Sequence, residues 1–182
     1  MFQLSLAGTL AFSMVIAYGK WQVKNQHKII VYNVQQHQAI DIVNANQYNF
    51  IGDSALLVDG MLQNFHLKPA RVALQLEERT DSTKNCWSKP PFYQLGNKRI
   101  LLIDQPLVFE PGQEKIHVDM ILLSRNPKLY IPQLATVFDC DQYVADASNS
   151  LWKIEKWKKD CEQLHLHLHS VAEKGAFILD FW

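Results

Sequence analysis

Three imidazoles stand at alternate positions near the end of the chain: His165, His167 and His169, separated by Leu166 and Leu168. Successive side chains of a β-strand point to opposite faces, so a strand here would gather all three rings on one face. Chelation of a transition metal is one chemistry open to that face. The plainer reading is a half-exposed strand with its leucines turned inward, and that reading is preferred. The expectation is no catalytic residue and no bound cofactor, with His165, His167 and His169 as metal candidates.

A second group is Ser124-Arg125-Asn126-Pro127. Asn126 directly before a proline reads as an N-cap with Pro127 at the first helical position, where the missing N–H costs nothing. Arg125 beside free N–H groups at a helix start would suit a phosphate of DNA. Arg125 and Asn126 are the candidate anion contacts; the alternative is an arginine that only solvates the turn. His27, His37, His66 and His117 are scattered without ligand spacing and read as solvent or loop residues. There is no Gly-x-Ser-x-Gly elbow, phosphate loop or dinucleotide fingerprint, and Ile51-Gly-Asp-Ser54 is too short to count as any of them. Seven glycines leave little for a backbone phosphate cradle, and no small-molecule substrate is indicated.

Composition narrows the class. The chain has 182 residues, 48% of them hydrophobic and 20% charged, which suits one globular domain with a real core. A formal net charge of zero argues against a general polyanion binder. Cys86, Cys140 and Cys161 lack Cys-x-x-Cys spacing, so neither a disulfide framework nor a zinc knuckle is indicated.

The elements that would position these residues are clearest toward the C-terminus. Asp119 to Leu123 reads as a strand, Lys128 to Phe138 as a helix, Gln142 to Ala147 as a strand and Leu151 to Leu164 as a helix. Two closing strands then end in Gly175-Ala-Phe-Ile-Leu. Ile131, Leu134, Val137 and Phe138 recur at helical spacing, as do Leu151, Ile154, Trp157, Cys161 and Leu164. Cys161 is thereby a core residue. On the outer face of that last helix Lys153, Lys156, Lys158 and Lys159 interleave with Glu155, Asp160 and Glu162. Glu155 and Lys159 are four apart, and the face reads as solvated rather than as a nucleic-acid patch.

Earlier in the chain, Lys28 to Val34, Ala39 to Val43 and Tyr48 to Ile51 suggest a meander. Ser54 to Phe65 reads as a helix, Ala70 to Leu76 as a strand after Pro69, and Glu77 to Gly96 as a long loop. Strand character returns at Arg99 to Ile103, and a proline-bounded hairpin-like stretch follows to Asp119. Met1 to Gly19 has no charged side chain and is followed by Lys20, Trp21, Lys24 and Lys28. A membrane-spanning helix over 1–19 with a basic linker over 20–27 is expected; a signal peptide ending at Ala17-Tyr18-Gly19 and a buried helix are the rivals.

In this order of pieces a family resemblance emerges. Ile29-Ile-Val-Tyr-Asn-Val, Ala39-Ile-Asp-Ile-Val, Lys98-Arg-Ile-Leu-Leu-Ile-Asp104, Val118-Asp-Met-Ile-Leu-Leu-Ser-Arg-Asn-Pro and Gly175-Ala-Phe-Ile-Leu resemble the C-terminal region of ComEC-type competence proteins, particularly those of Bacteroidetes. The resemblance covers roughly 28–182. It implies an α/β (mixed-sheet) fold, a degenerate metallo-β-lactamase-like domain behind the family's last membrane helix, at the bacterial inner membrane. It also implies a part in DNA uptake, with the membrane, the rest of a ComEC-like channel and, weakly, DNA as partners. The family's catalytic form carries His-x-His-x-Asp-His, which is absent here. Where it carries His-His-Gly-Ser, this chain has Ser124-Arg125-Asn126-Pro127, and Asp104, closing the apolar run Arg99 to Ile103, falls where the bridging aspartate would stand. By that resemblance Asp104 joins His165, His167 and His169 as a metal candidate. A single carboxylate cannot hold a hydrolytic metal, and a strand-end aspartate more simply caps a turn. The expectation is a non-catalytic accessory domain and a fragment of a larger protein. An unconventional metal-dependent nuclease and an unrelated membrane-anchored binding protein are the alternatives. The lysines after the apolar segment would place the domain inside by the positive-inside rule, whereas the family's domain faces outward. The side stays open.

Overall fold

The computed structural model describes residues 2–58, 60–78, 86–107, 112 and 114–181, of which 2–7 and 86–88 are described by backbone alone. In chain order, helix α1 (Phe2–Lys24) leads into three antiparallel strands, β1 (His27–Val31), β2 (Ala39–Asn44) and β3 (Gln47–Gly52). A helical run follows: α2 (Ala55–Val58), α3 (Gly60–Leu62), a π-helical turn (Gln63–Leu67) and α4 (Lys68–Ala73). Next come β4 (Glu77–Glu78), β5 (Cys86–Lys89), β6 (Phe92–Leu95), β7 (Lys98–Ile103), β8 (Ile116–His117) and β9 (Met120–Leu123). The chain closes with α5 (Ile131–Val137), β10 (Phe138–Asp139), β11 (Gln142–Ala145), α6 (Leu151–Gln163), β12 (His167–Ser170), α7 (Val171–Lys174) and β13 (Phe177–Asp180).

Two sheets carry the fold. One has strand order β13-β1-β2-β3-β4 and the other β12-β11-β9-β7-β6-β5, with β10 and β8 paired apart. The four strands β12, β11, β9 and β7 run parallel, and α5 and α6 join β9, β11 and β12 in two βαβ units. Parallel strands are covered on both faces, and the continuous apolar runs of β7 and β9 are what that placement requires.

Three apolar clusters define the layers. Ile29, Val31, Ile40 and Ile42 of the first sheet meet Ile100, Leu102, Met120, Leu122 and Val144 of the second. The second sheet's other face, with Leu101, Ile121, Leu123 and Tyr143, packs under Ile131, Leu134, Ile154, Trp157 and Cys161 of α5 and α6. The first sheet's other face, with Ile30, Ala39, Val43 and Tyr48, packs under Leu56 and Leu67. The order is helix, sheet, sheet, helix, with the period-2 alternation of β1 and β2 dividing residues between two cores.

Several expectations need correction. Ala70 to Leu76 is not a strand: Leu67, Ala70, Arg71 and Leu74 all turn inward at helical spacing, and Arg71 is the buried residue that a count of apolar positions leaves out. Glu77 to Gly96 is not simply a loop, since β4 and the β5–β6 hairpin lie within it, the hairpin turning at a cis Pro90–Pro91 bond; residues 79–85 lie outside the described residues. The hairpin-like stretch before Asp119 falls partly on 108–111 and 113, also outside them. The two closing strands do not pair: β12 extends the second sheet beside β11, while β13 crosses to β1. Helix α1 runs through the residues expected to form a linker, to Lys24. Among the described residues no helix is long and apolar enough to cross a membrane. At 23 residues α1 has the length; Gln3, Ser5, Thr9, Ser13 and Lys20 dilute its apolar run.

A candidate site at the sheet edges

The C-terminal ends of the parallel strands meet one edge of the first sheet, and polar residues converge there. Leu123 ends β9 between Ile103 and Ala145. The next residues of the three strands are Ser124, Asp104 and Asp146. From the other sheet come Gly52 and Asp53 at the end of β3, and His37 and Gln38 just before β2. A Cβ on Gly52 would collide with the Gln38 carbonyl, which accepts from the Asp53 N–H at 3.0 Å, so only glycine lets the strand ends close this tightly.

Asp146 is fully buried and is the hub. Ser124 Oγ and Ser148 Oγ each donate to it at 2.5 Å, the Ser148 N–H at 3.0 Å and Asn149 Nδ2 at 2.9 Å. Burial disfavours the ionised form and pushes its carboxyl up to about 6, against the pull of the donors from Ser124 and Ser148. Asn149 Nδ2 also donates to the Leu123 carbonyl at 2.8 Å, so the loop after β11 is tied to the end of β9.

Arg125 and Asn126 occupy the left-handed region, with φ of 58° and 55°, and the helix starts only at Ile131, after an N-cap at Tyr130. The expected helix start at Asn126-Pro127 is thus corrected, because an N-cap residue takes extended backbone angles. The N–H groups offered as an anion cradle are already used: that of Arg125 donates to Ser148 Oγ at 2.7 Å and that of Asn126 to Asn149 Oδ1 at 2.9 Å. Asn126 Oδ1 accepts from the N–H and the hydroxyl of Ser150, and Lys153 Nζ donates to its carbonyl at 2.7 Å. The Arg125 guanidinium crosses to Asp53. Burial raises the Asp53 carboxyl, but the Gln38 N–H, Arg125 and His37 together hold it below the usual carboxylate range.

The proposed metal set does not assemble. Asp104 follows β7, half-buried, and joins none of the bonds above. The histidines sit three strands away, roughly 14 Å at the usual inter-strand spacing. His165 lies in the turn after α6 with φ of 55°, and only His167 and His169 share β12. His169 Nε2 lies 3.1 Å from the Gly175 carbonyl, and its ring centroid is 5.0 Å from that of Phe177. Leu166 and Leu168 pack on the core beneath α6, as the half-exposed strand reading expects. Among the described residues, no group of three or more His, Cys, Asp or Glu is placed to hold a metal ion.

Of the histidines read as loop residues, His37 differs: its Nδ1 lies 3.2 Å from Asp53, inside the site. His27 is on β1, His66 in the π-helical turn, and His117 pairs with Asp139 at the surface. Sequence reading missed Asp53, Asp146, Ser148 and Asn149. The run Asp146-Ala-Ser-Asn-Ser150 between an apolar strand and an amphipathic helix was the available signal, since such residues make turns by bonding their own backbone.

Chemically this is a closed network. The carboxylate oxygens of Asp146 are filled by hydroxyl, amide and backbone donors, the two serines are committed to it, and one ion pair joins the sheets above. It holds three loops in one arrangement. No curated protein and no solved structure matches the chain. The model of the ComEC C-terminal domain family matches residues 29–181, from β1 to the residue after β13, and so takes in both sheets and every residue of the site. The chain belongs to the ComEC C-terminal domain family.

Proposed function

We propose that this chain is a non-catalytic domain of a ComEC-type competence protein, serving DNA uptake as a rigid accessory module. Membership of the family supports the link to competence and DNA uptake. The single observation that carries the non-catalytic part is the filled coordination of Asp146: its donors are serine hydroxyls and an asparagine amide where a hydrolytic centre would need open carboxylates and imidazoles. The helix–sheet–sheet–helix layering supports a lactamase-like origin. Helix α1, which exposes Leu10, Phe12, Met14, Val15 and Ile16, supports packing against further apolar segments of a membrane channel. Family membership sets aside the unrelated-protein alternative.

The test is a cleavage assay. The full chain is incubated with labelled single- and double-stranded DNA in Zn²⁺ or Mn²⁺, beside a chelated control. The expected result is no cleavage above that control, together with reduced DNA uptake in cells lacking the chain. Metal-dependent cleavage lost in Asp104→Asn or in the His167→Ala/His169→Ala variant overturns the reading in favour of a nuclease.

A further inference from the structure

The charges of α6 alternate in sequence, but they are not evenly paired in the fold: Asp160, one turn beyond Lys156, has its Oδ2 buried without a hydrogen-bond partner. Lys158 is matched by carboxylates, with Nζ 3.2 Å from both Glu155 and Glu173. Lys153 and Lys156 turn to the other side of the helix, toward α5. There Lys156 Nζ lies 4.2 Å above the ring of Tyr130, and Lys153 Nζ lies 2.7 Å from the Asn126 carbonyl and 5.6 Å from the Trp157 ring. None of these contacts is a carboxylate. Lys128, exposed in the segment between the Asn126 turn and α5, shares their field: the Lys153 ammonium is held below its ordinary pKa first by burial and then by repulsion from Lys128 and Lys156. Aromatic surface lies among these cations. Trp152 is 69% exposed and Tyr130 51%. Trp152 and Lys156, four residues apart on α6, are neighbours on its surface.

We propose that Tyr130 and Trp152, with Lys128, Lys153 and Lys156, form a contact site for single-stranded nucleic acid beside the sheet-edge network; this rests on the DNA-uptake reading and adds where a strand is held. Exposed rings among uncompensated ammonium groups suit a flexible polyanion whose bases are free to stack. A duplex hides its base faces and would use only the lysines. A lipid surface fits less well. Helix α1 enters at the start of β1, where His27 pairs with Asn44, whereas Asp53 and Arg125 lie at the opposite edge, beyond the Ala39–Gly52 pair. The patch adjoins that far edge, away from the apolar helix.

The test is fluorescence anisotropy with a fluorescein-labelled oligothymidylate of about twenty nucleotides, enough to cross one such site. The full chain is compared with Trp152→Ala and with the Lys128→Gln/Lys153→Gln/Lys156→Gln variant, whose fold is checked by circular dichroism. Trp152→Ala is expected to weaken binding about tenfold, and the triple variant to reduce the salt slope by about 2. Wild-type binding unchanged in both variants places the strand elsewhere and overturns the site while leaving the DNA-uptake reading intact. Phosphatidylglycerol vesicles bound in place of the oligonucleotide, and lost in the same variants, overturn it in favour of a lipid contact. Oligonucleotide binding that both variants weaken, in a chain whose deletion leaves cellular uptake unchanged, keeps the site and rejects the uptake reading.

Discussion

Arg125 Nη2 donates to Asp53 Oδ1 at 2.6 Å, and with that bond the end of β9 is joined to the end of β3, 72 residues earlier in the chain. The two residues belong to different sheets. Their pairing closes the edge where the three polar loops meet, and it exists only because the sheets pack face to face through Ile40, Ile42, Leu102 and Leu122.

Both partners are partly solvated, so their attraction is screened. Arg125→Ala is expected to cost about 0.5–1 kcal/mol. Asp53→Ala should cost more, about 1–3 kcal/mol, because the Gln38 N–H loses its acceptor as well. Because the Asp53 carboxyl is held low, its contribution is present above the ordinary carboxylate range and is lost as pH falls through its folded value. A double-mutant cycle by urea unfolding at neutral pH measures the coupling; additive losses would mean the pair contributes nothing.

Asp146 predicts the opposite pH dependence. Its carboxyl lies at about 6 in the fold against 3.8 as the ordinary value, so the folded state binds the proton more tightly than the unfolded chain. Its contribution is complete below 3.8 and is lost as pH rises through about 6. The stability of wild type relative to Asp146→Asn should fall by up to about 3 kcal/mol across that window. Chemical unfolding of both proteins at pH steps across it is the measurement, and a flat difference would refute the shift.

On the outer face of the first sheet, Arg71 of α4 clamps Asp41 of β2 through Nε and Nη2 at 2.8 and 2.9 Å, and Tyr32 donates to the same carboxylate at 2.8 Å. Its guanidinium also stacks 4.0 Å from the Tyr48 ring centroid. Arg71→Met strands a fully buried carboxylate and should cost about 3–5 kcal/mol. Asp41→Leu/Arg71→Met should cost less than that single change, since replacing a whole buried pair is often close to neutral. Urea midpoints decide the order; a double variant worse than the single one would show that the pair is itself stabilising.

Cys140 and Cys161 are both buried, and burial pushes their thiols up to about 11 and about 12. The thiolate is the reactive form, so neither should react with iodoacetamide in the native protein at neutral pH, whereas both should in urea. Mass spectrometry of the labelled peptides reads this residue by residue. Rapid native labelling of Cys161 would contradict its place beneath α6.

The sequence by itself determined the closing βαβαβ order and the buried stripes of α5 (Ile131, Leu134, Val137) and α6 (Ile154, Trp157, Cys161), because these rest on the local period of a helix, 3.6 residues. Leu151 and Leu164, which share that spacing at the ends of α6, are exposed, and Phe138 belongs to β10. It also carried the family, since the same ordered runs of apolar strands lie within the matched region. Tertiary structure alone decided the rest. Ala70 to Leu76 read as a strand, whereas its helix α4 buries Arg71 because Asp41, 30 residues away, lies opposite it. Asn126 looked like a helix cap until Asn149 and Ser150, from the next loop, took its polar groups and held it in the left-handed region. Histidines at ideal strand alternation found no carboxylate, because Asp104 follows a strand three places away in the sheet. Spacing along a chain reports which side chains share a face; which faces meet depends on strand order and layer packing, and that is set by long-range burial that no short stretch encodes.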